Sequence, residues 1–204
     1  MTLFERLKPA AAGLLAGAVC LQIWYEVEVF GKEPITFEYI LRYIALALAV
    51  AALVSYGRVP LVNAAIRMLI GANFIYSIAD RFGVLGPYHT VGVSWGSWKN
   101  FVYYTHVLNG YLPTAAAPYL AAAATLLEGV LAVCLILGIF PRVTTLTTAA
   151  LLAVYIITMS ATSGFVSQFD FAVLLLATAA FFVACTDSRA KAPLGRRVTG
   201  TSGI

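Results

Sequence analysis

Arg67 and Glu128 each place a formal charge inside a long apolar run. A charged side chain within a membrane-spanning helix costs about 2.5 to 3.5 kcal/mol on insertion scales, so each of the two requires a partner or a role. Arg67 lies seven residues past Pro60, and Glu128 lies ten residues before Gly138. With a rise of about 1.5 Å per residue, they sit about 10 Å and about 15 Å from the same membrane edge. The offset is within an arginine's reach, which predicts an intramembrane Arg67–Glu128 ion pair. Asn63, Arg67, Phe74, Ser77 and Arg81 share one stripe at helical spacing, with Asn73 and Asp80 on its flank, so this face should point into a bundle. Thr144, Thr148, Leu151, Tyr155, Thr158 and Thr162 form a second polar stripe. Asp80, Arg81, Asp170 and the Glu38/Arg42 pair, spaced i,i+4, make a further polar layer nearer one surface. Two readings of these groups stand side by side. In the first they fasten helices together, helped by close approach at Ala121 to Ala124 and Gly129. In the second they line a polar interior that holds a small ligand or a quinone headgroup.

The elements that carry these groups follow from hydropathy and punctuation. The chain has 204 residues, of which 61% are hydrophobic and only 11% charged, with a mean hydropathy of +0.89. Soluble domains carry about 25% charged residues, so a soluble single domain is excluded and the bilayer is the relevant solvent. Six segments are apolar enough to span: Pro9 to Val27, Ile35 to Tyr56, Pro60 to Phe82, Pro113 to Gly138, Arg142 to Thr162, and Phe169 to Cys185. Pro9, Pro60, Pro113 and Pro141 stand near helix starts, where the missing N–H does least harm. Gly57, Gly83, Gly138 and Gly164 follow helix ends. The first segment has basic flanks, Arg6 and Lys8, and a small-residue site, Ala16-Gly17-Ala18, as a signal peptide would. Its apolar run continues well past that site to Trp24-Tyr25, which favours a retained anchor. With the N-terminus inside, the inner side holds Arg6, Lys8, Arg58, Arg142, Arg189, Lys191, Arg196 and Arg197, against Lys32, Arg42, Arg81 and Lys99 outside. The net charge of +4 is therefore chiefly a topology signal, for both termini on the cytoplasmic side.

Several chemistries find no support. Cys20, Cys134 and Cys185 lie in apolar runs without a paired thiol, so a dithiol relay is not expected and the three read as small packing residues. His89 and His106 are the only histidines and share one connection, which offers neither a haem ligand pair nor a metal site. No phosphate-cradling glycine loop, dinucleotide fingerprint or serine–histidine set is present, and nothing beyond a charged tail speaks for nucleic acid. The connection from Gly83 to Leu112 is long, aromatic and glycine-rich, and its end is helix-like. There Trp98, Phe101, Val102 and Leu108 face one way, and Lys99, Asn100, Tyr103 and His106 largely the other. It reads either as an aromatic belt at headgroup depth or as an interfacial helix lying over the bundle's outer mouth.

The stretch from Arg67 through Gly71, Phe74 and Asp80 to Arg81-Phe82 resembles the opening helix of the DoxX family. Gly83-Val84-Leu85-Gly86-Pro87 and Gly92-Val93-Ser94-Trp95-Gly96-Ser97-Trp98 resemble one DoxX-like subgroup. Ala124-Thr125-Leu126-Leu127-Glu128-Gly129 is similar to the family's second helix, Gly138 and Arg142 to the turn into its third, and Met159, Gly164, Ser167 and Phe169-Asp170 to the entry of its fourth. The resemblance covers about residues 60 to 185, four of the six spans. It departs from the family in its N-terminal hairpin and in the length of the outer connection.

The resemblance implies an all-α, polytopic transmembrane helical bundle with both termini inside a bacterial-type plasma membrane. A DoxX-like four-helix core (60–186, with the aromatic connection at 83–112) would follow an N-terminal transmembrane hairpin (1–59) and precede a basic, disordered tail (187–204). Related DoxD proteins form the membrane subunit of a thiosulfate:quinone oxidoreductase. The corresponding expectation is a subunit of a quinone-linked redox assembly with no intrinsic cofactor, whose apolar pocket is lined by Arg67, Tyr76, Asp80, Glu128 and Tyr155. Arg67 would orient a headgroup, Glu128 would hold Arg67 or relay a proton, and Asp80 with Asp170 would line the outer mouth. The isolated chain is not expected to catalyse a reaction; the substrate's redox centre would belong to a partner protein. The alternative is a structural accessory subunit packed beside a larger membrane complex. A transporter is less favoured, since no inverted repeat is visible.

Overall fold

Proline at the first or second position opens three of the long helices, and Gly138 closes one of them in the left-handed conformation at φ 69°. The computed structural model describes residues 3–28 and 37–186. Its helices are α1 (Leu3–Glu28), α2 (Phe37–Ser55), α3 (Pro60–Arg81), α4 (Trp98–Leu108), α5 (Ala117–Leu137), α6 (Pro141–Thr162), α7 (Ser167–Asp170) and α8 (Val173–Thr186). A single 3₁₀ turn, Thr114–Ala116, leads into α5. The architecture is an all-α bundle, with no strand among the described residues. Among the described residues, four segments are long and apolar enough to cross a membrane: Leu3–Glu28, Pro60–Arg81, Thr114–Leu137 and Pro141–Thr162. Ile40–Ser55 and Val173–Thr186 are shorter apolar helices. The basic tail and the acidic loop around Glu33 lie outside the described residues.

Helix α8 is the central post. It is apolar all round and buried on nearly every face, packed chiefly against α6 and α1, with α3, α2 and α7 completing its surroundings. A helix with no polar face belongs in a core, which is why this one shows no lipid-facing stripe. Helix α1 makes more contact with α8 than with α2. The outward stripes are apolar too: Leu126, Val130, Val133 and Leu137 on α5, and Leu61, Met68 and Ile75 on α3, are all exposed. An apolar outside around a partly polar inside is the arrangement that hydrocarbon solvent favours.

Two elements differ from the sequence expectation. Helix α1 starts at Leu3 and runs through Pro9. The extra turns are held by cation–π contacts, Lys8 over the Tyr56 ring at 4.5 Å and Arg142 over the Phe4 ring at 4.3 Å. The expected span from Phe169 to Cys185 breaks at Phe171–Ala172, where Ala172 takes a left-handed φ of 51°. The break frees backbone carbonyls inside the bundle, and buried side chains satisfy them. Arg42 Nη1 donates to the carbonyls of Phe169 (3.4 Å) and Asp170 (3.2 Å), and Gln22 Nε2 donates to that of Phe169 at 3.3 Å. Irregular backbone inside a membrane is tolerated where protein or a cavity covers it.

Candidate functional site

A cavity of about 250 Å³ lies at the end of the bundle where α3 finishes and α8 begins. Its floor is a buried ion pair. Arg81 Nη2 lies 2.7 Å from Glu128 Oε2 and 2.9 Å from Oε1, and Glu128 is only 1% exposed. The Tyr155 hydroxyl donates to Glu128 Oε1 at 2.5 Å. Arg81 also donates to Ser77 Oγ (3.0 Å) and Thr125 Oγ1 (2.9 Å). Its guanidinium lies 3.9 Å from the Phe101 ring centre and 5.4 Å from that of Trp95, so aromatic faces cover what the carboxylate does not. Three helices thus meet at one charge pair: α3 brings Arg81, α5 Glu128 and α6 Tyr155.

This is not the pair expected from the sequence, and the reason is helix stagger. Gly71 of α3 packs against Ala132 and Ile136 of α5 so closely that a Cβ there would come within 2.7 Å of Ile136 Cγ1. Gly129 faces Ile78, and Thr125 meets Arg81. In this antiparallel register Arg67 lies level with Gly138, its Nη2 atom 3.6 Å from where a Cβ on Gly138 would stand. Glu128 is ten residues further along α5, about 15 Å at the helical rise. Pro60 and Gly138 therefore do not mark the same depth, and Arg67 is not among the residues that line the cavity.

The other expected site residues, Tyr76, Asp80, Glu128, Tyr155 and Asp170, all line the cavity. Asp80 is 2% exposed and points its carboxylate at three successive backbone N–H groups: Ser94 (2.9 Å to Oδ2), Trp95 (3.2 Å to Oδ2) and Gly96 (2.9 Å to Oδ1). Its oxygens accept from the connection, so Asp80 positions the roof while bordering the cavity. Gly96 makes that approach possible. It sits at φ 62°, and a Cβ there would come within 2.3 Å of the Tyr88 backbone nitrogen. The Tyr76 hydroxyl ties the same loop down by donating to the Gly92 carbonyl at 2.8 Å. Ser97 then caps α4, accepting from the Asn100 N–H at 3.3 Å. Asp170 accepts from the Tyr25 hydroxyl.

The connection is thus an ordered cover. Trp95 stacks on Phe171 with ring centres 6.0 Å apart and planes within 3°, and meets Phe101 edge-on at 5.1 Å. Beside it, the Tyr104 hydroxyl is pushed up to about 12, by burial first and then by the negative charge of Asp170. A second buried ion pair borders the cavity: Arg42 Nε lies 3.7 Å from Glu26 Oε1, and Glu26 accepts from Gln22 Nε2 at 2.8 Å. The Glu38 side chain, and with it the expected Glu38/Arg42 contact, lies outside the described residues. The threonine stripe of α6 turns inward on its own helix: Thr148 donates to the Thr144 carbonyl (2.9 Å) and Thr162 to that of Thr158 (2.8 Å).

Arg81, Arg42, Trp95, Phe101, Tyr104 and Phe171 belong to the site without having been singled out for the pocket. Ser77 and Arg81, one turn apart on the polar stripe of α3, were the available signal for the first of them. Together these features define the class: a multi-pass helical membrane protein with a roofed cavity in one half of the bundle. Comparison with protein-family models, with curated proteins and with solved structures gave no match.

Proposed function

We propose that this chain is the membrane subunit of a quinone-linked redox assembly, of the type that oxidises thiosulfate or thiols, and that its roofed cavity binds the quinone headgroup. The observation that carries this reading is the Arg81–Glu128–Tyr155 cluster, buried beneath an aromatic cover. Buried charge is costly in hydrocarbon and most often marks a ligand or proton site. The lining suits a quinone ring: aromatic faces from Trp95, Phe101 and Phe171 to stack on, and polar side chains to meet its carbonyls. Among the described residues, Asn73 and Tyr104 line the cavity and spend no side-chain hydrogen bond on the protein. With the Ser94 hydroxyl and the Trp95 indole N–H, which likewise line the cavity, they are donors available to a carbonyl oxygen.

When bound, a quinone supplies a two-electron, two-proton couple. The chain's own residues then have separable tasks. Asn73 and Tyr104 hold the headgroup, Trp95 and Phe171 exclude water, and Asp80 fixes Trp95 through the loop backbone. Glu128 accepts from Tyr155 and is held by Arg81, which makes it the residue to exchange a proton within the cavity. The similarity of residues 60 to 185 to DoxX proteins supports the same reading, with the substrate's redox centre on a partner protein. The excess of basic residues on one side supports cytoplasmic termini in a bacterial-type plasma membrane.

The test is Glu128→Gln in the native assembly. The complex should still form, and quinone-dependent turnover should fall by about 100-fold, the low end of what a positioned proton-transfer group contributes. Normal turnover would remove Glu128 from proton transfer. A second reading, a structural accessory subunit, draws on the exposed Tyr88, Val91, Tyr103 and Tyr111 around the cover, which form a surface for headgroups or a neighbouring protein. Under that reading the purified chain binds no quinone, and Tyr155→Phe leaves the assembly fully active.

A further inference from the structure

The cavity has two candidate ways out, and the structure treats them differently. Toward the aqueous end, the loop at Ser94–Gly96 is pinned by Asp80, and Trp95 lies flat on Phe171. That route is stoppered by three hydrogen-bonded N–H groups and an aromatic stack. The other way out is lateral. Helix α5 packs tightly on α3, and α6 tightly on α8, but α5 and α6 touch each other much less, although they are consecutive helices of a hairpin. Leu120 and Ala124 of α5 and Val154 and Thr158 of α6 line the cavity along this seam. Val154 is also 54% exposed, so the cavity lining and the accessible surface meet at this side chain. At the inner end of the seam stand Glu128 on α5 and Tyr155 on α6, joined by their hydrogen bond.

We infer that the α5–α6 seam is a lateral portal through which the ligand enters from the bilayer. The ligand is then an amphiphile whose ring reaches Glu128 and Tyr155 head first while its hydrocarbon tail stays in the seam. This rests on the quinone reading and narrows it: the substrate class is a long-tailed, membrane-dissolved quinone, not a water-soluble one. The polarity gradient agrees. From the mouth inward the seam runs Leu120, then Ala124 with Thr158, then Val154 beside the Glu128–Tyr155 pair. The Thr158 hydroxyl is spent on the Val154 and Tyr155 carbonyls of its own helix, so a tail meets little polarity before Glu128. Small side chains, Ala124 and Thr158, leave room between the helices where bulky ones would close it.

The experiment uses the full chain in lipid nanodiscs and reads quenching of tryptophan fluorescence by decylubiquinone and by its tail-free parent, dimethoxy-methyl-benzoquinone. The wild-type protein should bind the tailed quinone more tightly. Val154→Trp and Leu120→Trp, which fill the seam from opposite helices, should weaken decylubiquinone binding by about tenfold, the loss expected when about two methylenes leave an apolar groove. Binding of the tail-free ring should change less than about twofold. Leu120 lies about two turns of α5 from Glu128, whereas Val154 neighbours Tyr155 in α6, so Leu120→Trp decides if the two variants disagree. Equal weakening of the two probes, or no weakening of either, overturns the portal while leaving the quinone reading intact. No binding of either probe to the wild-type protein overturns the quinone reading and the portal with it.

Discussion

Helix α3 carries a buried arginine toward each end, and the two ends solve the problem of that charge differently. Toward its C-terminal end, Arg81 meets a carboxylate, two hydroxyls and two aromatic faces, all at the edge of a cavity. Toward its N-terminal end, Arg67 lies beside Gly138, where α5 finishes and its last carbonyls carry partial negative charge. The N-terminal end has close-packed neighbours, with Asn63 donating to the Gly57 carbonyl at 3.4 Å and Thr144 to that of Ile139 at 2.7 Å. Arg81 lines the cavity, and Arg67 is not among its lining residues. A buried arginine in a bundle therefore does not by itself mark a site; the empty volume beside it does.

Breaking the Arg81–Glu128 pair should produce the largest effect. Arg81→Ala or Glu128→Ala leaves a lone charge in the bundle, and each should cost about 3 to 5 kcal/mol. The double substitution should cost clearly less than the sum, because it leaves no orphan. Unfolding in mixed micelles with increasing denaturing detergent measures all three. A strictly additive double variant would mean that the two groups do not interact and that the two ends of α3 are alike after all.

The roof comes next. Asp80→Ala strips the acceptor from the N–H groups of Ser94, Trp95 and Gly96 and should cost about 1.5 to 3 kcal/mol, as charge-assisted hydrogen bonds do. The cost should be local. Limited proteolysis should cut the variant between Gly86 and Gly96, where the wild type resists, and emission from Trp95 should shift to the red. A variant that is destabilised throughout with the loop still protected would show that Asp80 fastens helices, not the cover.

Much of this design is legible in the chain before folding. Proline and glycine punctuation located the long helices to within a few residues, except that α1 runs on past Pro9. The polar faces of α3 and α6 were visible as stripes, because 3.6-residue periodicity depends on one helix at a time. The Arg81–Glu128 pairing was not visible, because it depends on how far α3 slides along α5. That slide is set by Gly71 nesting on Ala132 and Ile136, a contact between residues far apart in sequence. The break at Ala172 was hidden for a related reason. Nothing in Phe169–Ala172 is a helix breaker by type, and the kink is stabilised from outside, by Gln22 and Arg42 on other helices. Asp80 reads as a pocket-lining residue and does line the cavity; that it also holds the loop depends on Gly96, where a Cβ would meet the Tyr88 backbone.

Tyr155 sharpens the comparison on a smaller scale. Tyr155→Phe removes one hydrogen bond to Glu128 while leaving the ion pair in place, so the stability loss should be about 0.5 to 1.5 kcal/mol. If the cavity binds a quinone, the same substitution should alter the pH profile of quinone-dependent turnover, since Glu128 loses its nearest proton donor. No substitution at the Arg67 end of α3 should move that profile. A shift produced by Arg67→Lys would mean that the two ends communicate.

The smallest effect expected is a null that still discriminates. If Arg67 and Glu128 are separated as the register of α3 and α5 requires, their coupling energy should be below about 0.5 kcal/mol, the level at which separated substitutions add. The cycle is Arg67→Ala, Glu128→Ala and the double variant, measured by the same detergent titration as the Arg81 cycle. Both cycles share the Glu128→Ala protein, so the cost of orphaning that position cancels between them, and the two couplings compare the arginines alone. Strong coupling to Arg81 with none to Arg67 is the signature of the stagger set by Gly71. Equal coupling to both would require α3 to slide along α5 by about 15 Å, which the Gly71–Ile136 contact forbids.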